Sequence, residues 1–273
     1  MKQKTTSIIW RSLVFFATAI TFGVLIFLLG YILIKGIPYL KPSLFSLNYT
    51  SENVSLFPAA INTLVMTGLS LLIALPFGIF TAIYLVEYAK KGNKFVDLIR
   101  LTAETLSGIP SIVYGLFGLL FFVTYLGWGY SILAGAATLS IMILPLIMRT
   151  TEEALSSVPD TFREASFGLG AGSLRTIFKI VLPGAVPGIL AGVILAVGRI
   201  VGETAALIYT AGTVAQLPQG VFSSGRTLAI HMYTLSSEGL HTNEAYATAV
   251  VLLLLVLIIN TVSAMIAKKV TKI

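Results

Sequence analysis

The sequence predicts an all-α, polytopic membrane protein with six transmembrane helices and a cytoplasmic coupling helix, and three observations carry the membrane assignment. Hydrophobic residues make up 56% of the 273 and charged residues only 11%, with a mean hydropathy of +0.94, outside the usual range of globular domains. The apolar residues come in blocks of about 20 or more, the length a helix needs to cross hydrocarbon, where backbone groups find no water and must bond each other. The basic residues fall in short clusters between those blocks, as topology signals do. The net charge of +7 forms no stripe with stacking aromatics, which argues against nucleic acid. Cysteine is absent, which excludes disulfides, zinc-thiolate sites and thiol catalysis.

The expected spans, in order, are residues 8–34, 58–86, 107–125, 130–148, 184–211 and 245–267. The first has Lys2, Lys4 and Arg11 at its start and no small-residue cleavage site after it, so it reads as an uncleaved anchor. Lys90, Lys91, Lys94 and Arg100 follow the second span, Arg149, Arg163, Arg175 and Lys179 follow the fourth, and Lys268, Lys269 and Lys272 close the chain. The opposite side holds only Lys35, Lys41 and Arg226, so the positive-inside rule places both termini in the cytoplasm. The chain thus divides into an N-terminal helix and outer loop (1–57), a core of five spans (58–267) with a cytoplasmic loop (149–183), and a basic tail (268–273).

Gly127-Trp128-Gly129 allows only a tight reversal, whereas the outer loops 35–57 and 212–244 are long. Within the second, residues 227–235 read either as a short amphipathic helix on or dipping into the outer surface, or as an ordinary surface loop. Pro76, Pro110, Pro145, Pro183 and Pro187 lie within or beside apolar segments, where each removes a backbone donor and tends to bend a helix.

The cytoplasmic loop is patterned. Ser157-Val158-Pro159-Asp160 is a helix start signal, with an acid near the positive end of the helix dipole. The helix that follows is expected to carry Phe162, Ala165, Ser166 and Leu169 on its apolar face, with Arg163 and Glu164 pointing elsewhere. Gly168, Gly170 and Gly172 stop it, and Ser173 is placed to cap a second helix on which Leu174, Ile177, Phe178 and Val181 repeat up to Leu182-Pro183. A short helix held by a glycine elbow can pass a push from a soluble partner to the spans.

Glu164-Ala165-Ser166, three residues, Gly170, nine residues and Ile180-Val181-Leu182-Pro183 resemble the EAA loop of permease subunits in binding-protein-dependent ABC importers, with Ser166 where alanine is usual. The resemblance implies the type I ABC importer permease fold, docking of the first loop helix into an ATPase cleft, and a coupling role for Glu164, Ala165, Gly170, Leu182 and Pro183. No G-x-x-x-x-G-K-[ST] loop occurs, so ATP and its Mg belong on a partner chain, and this chain is expected to bind no cofactor or metal itself.

Within the fifth span lies Gly198-Arg199-Ile-Val-Gly-Glu203-Thr204-Ala-Ala206. A charge at mid-bilayer costs roughly 2.5 to 3.5 kcal/mol on insertion scales, so two need a reason. Four residues apart, Arg199 and Glu203 can offset each other, with Gly188, Gly192, Gly198 and Gly202 allowing close helix approach. The pair is either a structural clasp or a pathway element. In the second case Arg199 offers a planar donor fork to a tetrahedral oxyanion, with polar contacts from Glu203 and Thr204. A carboxylate there favours phosphate, which still carries a proton near neutral pH, over sulfate, which has none to give.

Residues 198–212, together with Glu104-Thr-Leu-Ser-Gly-Ile-Pro-Ser-Ile-Val-Tyr-Gly115 and Ile61-Asn62-Thr63-Leu64, resemble phosphate-uptake permeases of the PstA type, with Ala206 where proline is common. That resemblance implies a heteromeric phosphate importer with a second permease of the PstC type, PstB-type ATPase subunits and a PstS-type phosphate-binding protein. Other readings are an ABC permease for phosphonate, sulfate or molybdate, a passive anion channel, or an intramembrane enzyme. The channel needs no ATPase contact. The enzyme lacks a base, since His231 and His241 fall in the outer loop and read as surface residues.

Overall fold

The structure, a computed structural model, describes residues 2–90 and 92–271, and among these it contains helices and no strand. Helix α1 (Lys2–Gly36) leads into two short 3-10 turns, Ile37–Tyr39 and Pro42–Phe45. Helix α2 (Phe57–Ile83) ends in a wide π turn, Tyr84–Tyr88. Then come α3 (Lys94–Ser107) and α4 (Ser111–Gly118), the latter continued by a wide turn at Leu119–Tyr125. Helix α5 (Ile132–Ser156) precedes the loop helices α6 (Asp160–Gly168) and α7 (Ser173–Thr176). Through a π turn at Ile177–Val181, α7 runs into α8 (Leu182–Val201). A single turn, α9 (Ala205–Ile208), then α10 (Leu228–Glu238) and α11 (Thr242–Thr271), complete the chain.

Five helical runs are long and apolar enough to cross a membrane: Ile9–Tyr39, Phe57–Tyr88, Ile132–Ser156, Ser173–Val201 and Thr242–Lys269. The expected third span is different. Its helix is the short arm α4, joined to α3 by a bend of 102°, and only the bent pair together qualifies as a sixth crossing. Pro110 explains the bend, because it drives the preceding residue out of the α region and itself stands at the N-cap of α4. Helix α3 lies between the second and third expected spans and carries Lys94 and Arg100. It is amphipathic, capped by the Asn93 side chain, which accepts from the Phe95 amide at 3.0 Å. Its Val96, Ile99 and Ala103 pack in a core cluster with Leu85 and Leu155 while Phe95, Leu98 and Leu101 are exposed.

Helix α5 is the centre of the bundle: 72% of its most apolar stretch is buried, against 0% in α1 and 6% in α11, whose apolar faces are left for lipid or other chains. Small residues bring α8 onto α5. A Cβ at Gly188 would lie 2.6 Å from Ala154 Cβ, and one at Gly192 would overlap the Thr150 hydroxyl. Gly198 and Gly202 meet no neighbouring helix, so the close approach expected at four glycines occurs at two. Three core clusters form the bundle: one beside α6 and α7 around Leu85, Leu155 and Val181, one around Met66, Leu139 and Ile200, and one beside α10 around Leu44, Leu56 and Leu228.

The second outer loop is not an ordinary surface loop. Thr227 caps α10, Gly239 ends it at φ +74°, and Leu228, Ile230 and Leu235 are buried. The Leu228 amide donates to Thr63 Oγ1 at 2.9 Å, and Asn62 Nδ2 donates to the Arg226 carbonyl at 3.2 Å. These bonds tie the loop to the first turns of α2, which accounts for the Asn62-Thr63 pair in an apolar block. His231, expected on the surface, is 0% exposed because it sits on the inner face of α10, edge-on to Tyr49, whose ring also lies 4.7 Å from the Arg226 guanidinium.

Burial, and after it the Arg226 charge, push the His231 pKa down from 6.5 to about 3, against weak opposition from the Val54 backbone. With the folded value below the unfolded one, the unfolded chain takes up the proton first as pH falls. The stabilisation is therefore intact above pH 6.5 and declines from there toward about 3. The thermal unfolding temperature of the detergent-solubilised protein is expected to fall as pH is lowered from 7 to 5, and His231→Phe to flatten that dependence. An unchanged slope in the variant contradicts the assignment.

Candidate translocation site and coupling surface

The fifth span breaks where its charges lie. Helix α8 closes with Gly202 N–H to Gly198 O at 3.3 Å and Glu203 N–H to Ile200 O at 3.1 Å, and α9 restarts when the Ile208 amide bonds the Thr204 carbonyl at 3.1 Å. The break follows from Gly202, a poor helix interior residue, and from a Glu203 side chain that serves the next turn instead: its Oε1 accepts from the Ala206 amide at 3.0 Å. Glu203 is only 9% exposed, yet its second oxygen, Oε2, has no partner among the described residues. Arg199 lies in the last turn of α8, partly exposed, where a cation suits the helix dipole.

Among the described residues no ion pair joins Arg199 and Glu203. The expectation that they offset each other assumed an unbroken helix, and the i,i+4 relation lapses once Gly202 ends α8. Irregular backbone at membrane depth is tolerated only where protein surrounds it or where it lines a cavity. Here α4 surrounds part of it. A Cβ at Gly115 would lie 2.8 Å from Ala206 Cα, and Gly118 abuts Thr138 and Thr210. Tyr114, adjacent to Gly115, stands within range of the Arg199 charge and donates its hydroxyl to the Leu106 carbonyl at 2.8 Å, across the α3–α4 bend. Thr204 and Ala205 line a cleft of about 710 Å³ with Ile112, Ile208, Tyr209 and Tyr233, while Arg199 and Glu203 are not among its walls.

In loop 149–183, helix α6 starts at Asp160 as the start signal predicts, and Gly170 turns the chain at φ +81°. Its apolar face turns outward except at Ser166. Phe162, Ala165, Glu164 and Leu169 are exposed, Leu169 to 89%, whereas Ser166 is buried and Arg163 points inward. The reason is polar: Arg163 Nε and Nη2 donate to Glu87 at 2.7 to 3.3 Å, Nη1 to the Val158 carbonyl at 2.7 Å and to Asp160 at 3.0 Å, and Nη2 to the Leu155 carbonyl at 3.0 Å. The Glu87 hydrogen bond raises the Arg163 pKa further, keeping the guanidinium charged.

Ser166 Oγ meets Thr176 Oγ1 at 2.8 Å, which accommodates a hydroxyl at the third motif position and fastens α6 to α7. Ser173 is the first residue of α7 and Gly172 holds the cap position without a side-chain bond, so the expected Ser173 cap does not form. Ile177, Val181 and Leu182 pack in the core cluster around Leu85 and Leu155, while Leu174 and Phe178 are exposed and Pro183 sits in the first turn of α8. Sequence reasoning missed Glu87 and Tyr114. The available signals were an acid at the edge of an apolar block and a tyrosine beside two glycines that admit α9.

A bundle of apolar helices around a broken span, with the apolar face of α6 left exposed, marks a membrane-embedded protein. The chain belongs to the family described as binding-protein-dependent transport system inner membrane component, which matches residues 74–272. It is 35% identical to "Probable ABC transporter permease protein YqgI" of Bacillus subtilis (strain 168), with 99% of both chains covered. It is 36% identical to "Phosphate transport system permease protein PstA 1" of Mycobacterium tuberculosis (strain ATCC 25618 / H37Rv), over 77% of this chain and 68% of that one. In fold it matches a bacterial ABC transporter that imports the acidic polysaccharide alginate, at TM-score 0.69 and 16% identity, covering 98% and 99% of the two chains. It is therefore an ABC importer permease subunit of the PstA-like group.

Proposed function

We propose that this subunit moves inorganic phosphate into the cytoplasm of a bacterial cell, with both termini cytoplasmic, alongside a PstC-type permease. PstB-type ATPase subunits bearing ATP and Mg drive it, and a PstS-type extracytoplasmic phosphate-binding protein feeds it. The observation that carries the reading is the guanidinium of Arg199 at a helix break, with no carboxylate of its own chain paired to it among the described residues. Its donor fork matches two oxygens of a tetrahedral anion. Glu203 contributes selectivity: with Oε1 engaged by Ala206, Oε2 is left to accept the proton of a phosphate. Thr204 follows as a neutral donor on the unwound segment. The phosphate assignment of a 36% identical relative agrees with this chemistry.

The mechanism follows from the parts. The exposed face of α6 with Glu164 and Ala165 seats in an ATPase cleft, Gly170 is the elbow, and α7 continues through Leu182 and Pro183 into the helix that carries Arg199. A push on α6 is thereby a push on α8. Glu203 opposes overly tight anion binding, as release requires.

The test is ATP-dependent uptake of labelled phosphate by vesicles holding the assembled complex, in competition with sulfate. Wild type is expected to resist a large excess of sulfate. Glu203→Gln, which can donate to sulfate, is expected to lose about tenfold of that preference. Equal competition by sulfate in wild type excludes phosphate selectivity at this site.

A further inference from the structure

Helix α6 touches the rest of the protein in two ways. One runs along the chain: Ser166 bonds Thr176 and the segment continues into α8. The other is lateral, and among the described residues its hydrogen bonds and ion pair come from Arg163. Arg163 has five N–H donors, and they reach the Glu87 carboxylate on the terminal turn of α2 and the carbonyls of Leu155 and Val158 at the end of α5, as well as Asp160 within α6. Both ionic partners are enclosed, with side chains 14% and 9% exposed, so this pair is not a solvated surface bridge of negligible worth. Removing one member leaves the other as an enclosed, uncompensated charge.

Glu87 also sits in a particular stretch of backbone. The terminal turn of α2 is a π turn, closed by the Ala89 amide on the Tyr84 carbonyl at 3.0 Å, and such turns mark places where a helix changes pitch. The junction of α7 and α8 is a π turn as well. The docking helix therefore hangs between two spans, α2 and α8, each joined to it through a segment of altered pitch. Only the α8 connection is covalent.

We propose that the Arg163–Glu87 pair is a positioning link that transmits movement of α6 to α2, so that α2 and α8 move together on α5 during each ATP cycle. This rests on the reading of α6 as the ATPase-docking helix. Without the link, a push on α6 reaches α8, and α5 through the short connection 157–159, but not α2, and nucleotide turnover proceeds with little transport. Arg163 and Glu87 touch no substrate in this account; they act through the helices they join.

The experiment measures ATP hydrolysis and anion uptake in the same vesicles, using the full complex, and reads uptake per ATP hydrolysed. Glu87→Gln is expected to lower that ratio about tenfold while hydrolysis stays within about threefold of wild type. Glu87→Asp, which keeps the charge, is expected to recover much of the ratio. The double variant Glu87→Gln/Arg163→Gln is expected to be no worse than the worse single, because the two residues form one link. A structural brace alone would lower the amount of assembled complex and leave the ratio unchanged. An unchanged ratio in every assembled variant, or losses that multiply in the double variant, overturns the link. If wild-type vesicles show no ATP-driven uptake at all, the transport reading fails instead, which separates the two.

Discussion

Arg199→Ala is expected to reduce ATP-driven phosphate uptake by about a hundredfold or more, since a bidentate guanidinium–oxyanion contact supplies two charge-assisted hydrogen bonds of roughly 1.5 to 3 kcal/mol each. The variant should still insert and assemble. Arginine in a span is a cost of roughly 2.5 to 3.5 kcal/mol on insertion scales, so its removal favours membrane integration. Among the described residues it forms no ion pair whose loss would leave a partner stranded. Arg199→Lys keeps the charge and loses the planar fork, and an intermediate rate is expected. The check is uptake in vesicles at equal amounts of co-purified complex, and wild-type uptake by the alanine variant removes Arg199 from the pathway.

The second large effect is expected on the outward face of α6. Leu169→Asp should leave the subunit folded and abolish co-purification of the ATPase subunits. Leu169 is nearly free of its own chain, so its replacement disturbs no core. Buried in a partner's cleft, a leucine contributes about 1.5 to 3 kcal/mol, and an unpaired carboxylate in its place adds a penalty of several kcal/mol. Together these correspond to a loss of about a thousandfold or more in affinity. Phe162→Asp, on the same face, is expected to behave alike. Retained association in both variants would show that the ATPase grips elsewhere.

The long apolar helices were legible because hydrocarbon imposes a length and a composition that sequence states directly. Helix α3 was not, because its exposed Phe95, Leu98 and Leu101 alternate with charges, and charge clusters between apolar blocks read as loops. The start and elbow of the loop helix were legible from Pro159, Asp160 and Gly170, whereas the direction its apolar face takes was not. Periodicity marks which residues share a face and does not say whether that face turns inward. Here Glu87, distant in sequence, draws Arg163 in and leaves Phe162 and Leu169 out. The candidate site shows the same limit: the spacing of Arg199 and Glu203 implied a pair, and the tertiary break at Gly202 gave the carboxylate to Ala206 instead. His231 was misjudged because a histidine in a polar loop carries no local mark of the core it joins.

The central claim is that nucleotide turnover in a partner, entering through α6, opens a water route past Arg199. The chain has no cysteine, and Gly198, one residue before Arg199, faces open space, so Gly198→Cys gives a single reporter thiol in this subunit. Its reaction with a membrane-impermeant thiol reagent, read on this subunit by mass, should change in rate and in the side of access when ATP and the binding protein are supplied to the assembled complex. That change should vanish in a Leu169→Asp background. Labelling that is absent from both sides in every state, or that ignores nucleotide, contradicts the account.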